Sequence, residues 1–253
     1  QEDSLQVTLV DEQIQGQHFA FMLQDQLQWE HTQLKLGLRW NYVLELANTY
    51  WEPRASVTQD LGNYVTAKLG YGLYRQFVMK SSVLDDLGNY HYMWVVADEE
   101  RYPVLKGTHW VGGLVMETPH THISIEPFYK KTSGITRYVN HVFRNKETLY
   151  RGEGRSYGLD LYVKQDIARH TAWVSYTLSK TEEHFAYFPN DDFAPAPQDQ
   201  RHELKLAAIL DFDPFFFSAN YVYGSGFPIP EFANGTVTYS RTPYHRVDAA
   251  FVY

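Results

Sequence analysis

The sequence predicts an all-β fold: an antiparallel, up-and-down β-barrel that crosses a membrane. Three observations carry that prediction. Runs of strict apolar–polar alternation recur along the 253 residues, the pattern of strands whose two faces meet unlike environments. Several reach the roughly ten residues that a tilted strand needs to span a bilayer. The connections alternate short and long, as when one rim of a barrel carries tight turns and the other carries loops.

The clearest pair occupies residues 152–179. Tyr157, Leu159, Leu161 and Val163 share one face, and Gly158, Asp160, Tyr162 and Lys164 the other. After Ile167, Ala168 and Arg169 the alternation resumes, with Ala172, Val174, Tyr176 and Leu178 opposed to Thr171, Ser175, Thr177 and Ser179. The rest of the chain reads similarly. Residues 4–10 form a short candidate strand and 11–16 a polar turn. In 17–29, Phe19, Phe21 and Leu23 alternate until Asp25 falls on the apolar face, which reads as the strand leaving the membrane. Residues 30–32 turn. In 33–42, Leu34, Leu36, Leu38, Trp40 and Tyr42 oppose Gln33, Lys35, Gly37, Arg39 and Asn41 without a break.

Residues 43–51 read as a loop, 52–60 as a strand and 61–63 as a turn. In 64–74, Val65, Ala67, Leu69, Tyr71 and Leu73 oppose Thr66, Lys68, Gly70 and Gly72. A long irregular stretch follows at 75–107. Strands at 108–117 and 121–131 flank a turn at 118–120, and 132–153 is a second long connection. Beyond the 152–179 pair, 180–200 is a loop. Strands at 201–211 and 215–224 flank a turn at 212–214, 225–243 is a last loop and 244–253 a last strand. The total is about twelve strands. The short turns are assigned to the periplasmic rim and the long loops to the outside. Phe215, Phe216 and Phe217 then fall where an aromatic girdle belongs. No internal repeat of fixed period is visible, which counts against a propeller.

Four stretches, in order, resemble the TonB-dependent outer-membrane receptors of the Bacteroidetes type: GEGRSYGLDLYVKQ at 152–165, DQRHEL at 199–204, YVYGSG at 221–226 and PYHRVD at 243–248. The resemblance implies a barrel of about twenty-two strands behind an N-terminal plug, of which this chain would supply the later strands, short of the last hairpin. It reads as a single β-barrel region over residues 1–253, without a plug domain and incomplete as a barrel. It also implies import of a scarce ligand (siderophore, cobalamin, glycan or peptide) across the bacterial outer membrane. TonB would supply the energy through a plug not present here, and a surface lipoprotein lid is a further partner of some members.

Composition sets outer limits. The net charge of −8 gives no basic footprint for nucleic acid. No apolar run is long enough for a transmembrane helix. Aromatics make up 16% of the chain, with 20 Tyr, which suits girdled barrels. The absence of Cys removes disulfides and thiolate chemistry. No signal peptide opens the chain at Gln1, Glu2, Asp3 and Ser4, so the expectation is a mature or internal sequence.

Chemistry-bearing residues are few. His120 and His122 could share a strand face, but His120 sits in a turn and no third ligand adjoins, so no metal or cofactor site is expected. His184, Asp191 and Asp192 with Ser175 or Ser179 contain the residue types of a hydrolytic site, but no Gly-x-Ser-x-Gly elbow is present. Glu126, Lys130, Asp160, Lys164, Glu203, Lys205 and Asp211 lie on polar strand faces. They must point to the lumen, because a Lys facing lipid near the midplane costs roughly 2–4 kcal/mol. Asn234, Gly235 and Thr236 match a glycosylation sequon by chance if the source is bacterial. The ligand-binding candidates are the aromatics of the outward loops, Tyr90, Tyr92 and Trp94 in one and Phe185, Tyr187 and Phe188 in another. No catalytic residue is assigned. Two other functions fit the strand pattern less well: a self-contained outer-membrane hydrolase of about twelve strands, and a soluble β-sheet binding module.

Overall fold

A computed structural model describes residues 15–84, 90–141, 146–188, 192–233 and 236–253. The candidate strand at 4–10 lies outside these, as do Asp191, Asn234 and Gly235. The described residues are strands and connections, without helix. Eleven strands make one antiparallel wall: β1 (His18–Gln28), β2 (Thr32–Val43), β3 (Asn48–Gly62), β4 (Val65–Gln76), β7 (Leu105–Glu117), β8 (Thr121–His141), β9 (Lys146–Ile167), β10 (His170–Phe185), β12 (His202–Phe212), β13 (Phe215–Gly224) and β16 (Tyr244–Val252). Each pairs with the next in that order, and among the described residues no pairing joins β1 to β16.

The register shows why alternation dominates the sequence. Partners in an antiparallel pair share a face. Leu23 pairs with Leu38, Leu34 with Val57, and Val57 with Leu69. Farther along, Leu114 pairs with Ile125, Ile125 with Leu161, Val163 with Val174, Val174 with Leu206 and Leu206 with Tyr221. One apolar face thus runs across all eleven strands. The opposite face carries Lys35, Arg54, Lys68, Glu126, Asp160, Lys164, Thr177, Glu203 and Lys205. Leu159, Leu161, Val174, Leu204 and Leu206 all keep part of their surface exposed, so they do not meet across a closed interior. A ring contact chain, Tyr71–Trp110–Tyr129–Tyr157, crosses β4, β7, β8 and β9 on the apolar face near its loop side. At the opposite rim, Phe215 stacks on Phe251 and Tyr253. Phe216 pairs with Val252 on the other face, so only Phe215 and Phe217 of the triplet join the apolar girdle.

The tight turns gather at one rim. They are Trp29–His31, Asn63–Tyr64, Thr118–His120, Ala168–Arg169 and Asp213–Pro214. The second turn is not at 61–63: β3 runs on to Gly62, and Asn63 and Tyr64 both take positive φ, 50° and 67°, as a two-residue hairpin requires. Asp25 pairs with Leu36 three residues before β1 ends, and the alternation resumes at Leu27. The strand therefore stays in the sheet past Asp25.

The long connections differ most from the sequence reading. Residues 43–51 are mostly strand, since β3 begins at Asn48. The stretch 75–107 holds a hairpin, β5 (Val78–Leu84) with β6 (Tyr90–Val96), and β5 also runs parallel to β8 at Ser82, Val83 and Leu84. The stretch 132–153 is not a loop: β8 and β9 continue through it, paired as far as His141 and Lys146, with a bulge at Gly134. β10 extends to Phe185, where a two-residue β11 (Ala194–Pro195) pairs back on it. The last loop contains the hairpin β14 (Ile229–Ala233) and β15 (Thr236–Ser240). Alternation failed to mark these elements because they lie above the two-solvent zone and pack against one another.

Candidate functional site at the loop-rich rim

The wall has little core, but its loop-rich rim has one. Val43, Tyr50, Phe77, Met79, Val95, Ala97 and Val104 are buried together, joining the ends of β2 and β3 to the β5–β6 hairpin. Met79 pairs with Val95 on the buried face of that hairpin. Lys80 pairs with Trp94 on the other face, with its ammonium 5.2 Å from the indole. Trp94 is 64% exposed and Tyr92 58%. These two predicted site residues form an open aromatic ledge.

Tyr90, Phe185, Tyr187 and Phe188 are elsewhere, around Arg137. Arg137 is 3% exposed. It lies 4.8 Å from the Tyr90 ring and 4.3 Å from the Phe185 ring. Its Nε donates to Ser82 Oγ at 3.0 Å and Nη1 to Tyr187 Oη at 3.1 Å, while Nη2 pairs with Glu183. Tyr187 meets Phe188 edge-on at 4.9 Å and Tyr150 at 4.8 Å. Phe185, 1% exposed, is the packed floor of this cluster and presents no free face. Burial pushes the Tyr90 hydroxyl up to about 12, against the pull of Arg137. Burial likewise raises Tyr187 and Tyr239, both close enough to Arg137 to feel its charge. Burial also works against the charge on Arg137, but Glu183 and the surrounding phenols outweigh it and hold the guanidinium charged. Strands β5, β6, β8, β10 and β15 thus converge on one cation.

Two further polar links brace the rim. Buried Glu182 would rise on burial, yet Lys180 and Arg155 hold its carboxyl below the usual range. Arg155 in turn lies over the Phe193 ring at 4.1 Å. Asp199, also buried, pairs with Arg241 and accepts from the Thr181 amide at 2.6 Å.

The other candidates remain apart. His120 stays in its turn, and His122 faces Glu117 at 3.8 Å. Among the described residues no group of three His, Asp or Glu is placed to hold a metal. His184 pairs with Glu153 in an unbroken β10 register, so Ser175 and Ser179, at odd positions, project from the opposite face. Ser179 donates instead to the Gln200 carbonyl. Arg137 and Glu183, the centre of the rim cluster, were not singled out by sequence. Arg137 fell in a stretch without alternation, and a lone Arg there carries no local signal.

No protein-family model matches the chain, and neither does any curated protein sequence. Solved structures do. The siderophore receptor PirA from Acinetobacter baumannii superposes with a TM-score of 0.63 at 11% identity, over 92% of this chain and 38% of that one. P. aeruginosa FpvA, solved bound to heterologous pyoverdines, gives 0.65 at 11% identity, over 92% and 32%. This chain has the all-β, antiparallel fold of an outer-membrane β-barrel wall. OmpT, an outer membrane protein of Vibrio cholerae, matches at 0.52 and 11% identity, over 91% of this chain and 63% of its own. The chain thus spans about a third of the length of the receptors it superposes on.

Proposed function

We propose that this chain is part of a TonB-dependent outer-membrane receptor that imports a scarce ligand, with ferric siderophores as the ligand class. The observation that carries this reading is the two-faced wall, apolar on one side and charged on the other across eleven strands. Such a wall belongs between lipid and water. The siderophore receptor PirA and FpvA, solved with bound pyoverdines, share the fold, which supports the ligand class. The polar face then lines the lumen, and the rim cluster with Tyr92 and Trp94 faces outward as the capture surface. The rest of the barrel, and a plug through which TonB acts, belong to other parts of the receptor. The wall performs no covalent chemistry. A lipoprotein lid is a further proposed partner at the outer rim.

The test uses the full-length receptor. It is expected to fractionate with the outer membrane and to change gel mobility on heating. Its deletion should abolish energy-dependent uptake of one labelled iron chelate, and loss of TonB should have the same effect. A full-length protein that stays in the aqueous phase, or uptake unaffected by loss of TonB, overturns the reading.

A further inference from the structure

A recess of about 290 Å³ lies on the polar face between β2, β3, β4 and β7. Its form follows from the cross-strand register. Arg54 on β3 has Gly37 of β2 as its partner on one side and Gly72 of β4 on the other. Neither glycine brings a side chain of its own; the Tyr74 ring folds back over Gly72, where a Cβ would meet its hydroxyl at 2.6 Å, so the open floor lies on the Gly37 side. The next row repeats the pattern, with Lys35 opposite Ser56 and Ser56 opposite Gly70. The rim of the recess is formed by Gln24, Lys35, Arg54, Tyr74 and His109, and among the described residues no carboxylate lines it.

The acid that meets Arg54 is already engaged. Buried Glu52 accepts from Asn41 Nδ2 at 2.9 Å, from Arg54 Nη2 at 3.2 Å and from the Arg75 amide at 3.2 Å. Arg54 is held against the Tyr74 ring at 4.7 Å, which fixes the plane of its donors. Its Nε is buried and meets no acceptor among the described residues. A buried donor left unpaired costs about as much as a lost hydrogen bond. Lys35 is exposed and forms no ion pair among the described residues. A guanidinium paired with Glu52 and an exposed ammonium thus border a small hollow that is lined by no carboxylate among the described residues.

We propose that this recess is a binding site for a small multivalent oxyanion, a carboxylate or phosphate, partway down the lumenal wall. It rests on the reading of the polar face as lumenal. An arginine fork suits planar oxyanions, and the adjacent ammonium adds a second point charge. The hollow is at the small end of ligand pockets, too small for a bulky chelate. Its place is distinct from the outer aromatic cluster: it takes one anionic group in passage.

The test is calorimetric titration of the purified full-length receptor with citrate and with inorganic phosphate, at two salt concentrations. Saturable, salt-sensitive binding is expected. Arg54→Gln should weaken it about tenfold or more. Lys35→Gln, which breaks no ion pair among the described residues, should weaken it less but measurably. Arg246→Gln, a cation of the same face at the far edge paired with Asp248, should leave it unchanged. Absence of binding, or equal affinity in the Lys35 and Arg54 variants, overturns the proposal. So does a wild-type receptor that binds neither anion but loses thermal stability in Arg54→Gln and not in Arg246→Gln, since a carboxylate of the receptor itself then fills the recess. Iron-chelate uptake by the same strains separates the two readings: normal uptake without anion binding overturns only this one.

Discussion

Arg137 and Glu183 form an ion pair with side chains only 4% and 12% exposed, linking the upper parts of β8 and β10. Removing one partner of a buried pair leaves the other charge without compensation, at about 3–5 kcal/mol. Arg137→Met or Glu183→Gln should therefore loosen the rim while the wall persists. Amide exchange should accelerate in β5, β6 and residues 180–188 and stay slow in β12 and β13. Unchanged exchange at the rim refutes the assignment. The double variant should recover part of the loss, because no lone charge remains.

Tyr90 gives the rim a pH response. Burial raises its hydroxyl to about 12, above the free value near 10. A raised folded value means that the stabilisation is complete below about pH 10 and is lost as pH rises through about 12. In a phenolate absorbance titration, the difference between wild type and Tyr90→Phe should show a transition near pH 12. A difference centred near 10 contradicts the burial described here.

The two faces predict opposite outcomes for the same substituent. Leu161→Arg places a charge on the apolar face, and should cost roughly 2–4 kcal/mol of folding stability in bilayers. Thr177→Arg on the polar face lies between its partners Asp160 and Glu203 and should be close to neutral. Reversible unfolding in lipid vesicles measures both, and equal costs would exclude a lipid-facing side.

Gly158 is a position where the absence of a side chain is structural. A Cβ there would lie 2.3 Å from the Leu178 carbonyl oxygen and 2.9 Å from Phe128 Cζ. Gly158→Ala should destabilise by about 1–3 kcal/mol through overpacking. Gly62, where nothing lies within 4 Å, has no such clash and is limited only by its φ of 76°. The comparison of midpoints in denaturant checks the difference.

Tyr92 and Trp94 test the proposed capture surface. Both are exposed, so Tyr92→Ala with Trp94→Ala should leave stability within about 0.5 kcal/mol. Ligand affinity should fall about tenfold, as loss of a stacking surface predicts. Wild-type affinity in the double variant removes the ledge from the site.

The wall was legible because lipid and water act on alternate residues. Leu34 to Tyr42, and Tyr157 to Leu178, display that constraint directly in sequence. The rim was not legible. Thr132, Ser133, Gly134 and Thr136 show no alternation because β8 leaves the two-solvent zone there, yet they continue the ladder to β9. Ser81 and Thr136 are buried while hydrogen-bonded to each other, a pairing that composition alone reads as loop. Aromatics flagged one ring of the site, but Phe185 turned out to be a packing residue. The cation that organises the cluster comes from a strand some 45 residues away in sequence, as the Arg137–Glu183 separation of 46 shows. Such convergence has no local sequence signature.

β8 and β9 contain 21 and 22 residues, about twice what bilayer thickness demands. Half of each ribbon is therefore a post rooted in the membrane and standing clear of it. The mouth is made of ladder, and the cost of ordering its backbone falls on folding, before any solute arrives. On the proposed reading, capture at such a mouth works by template: the solute must match a shape already set.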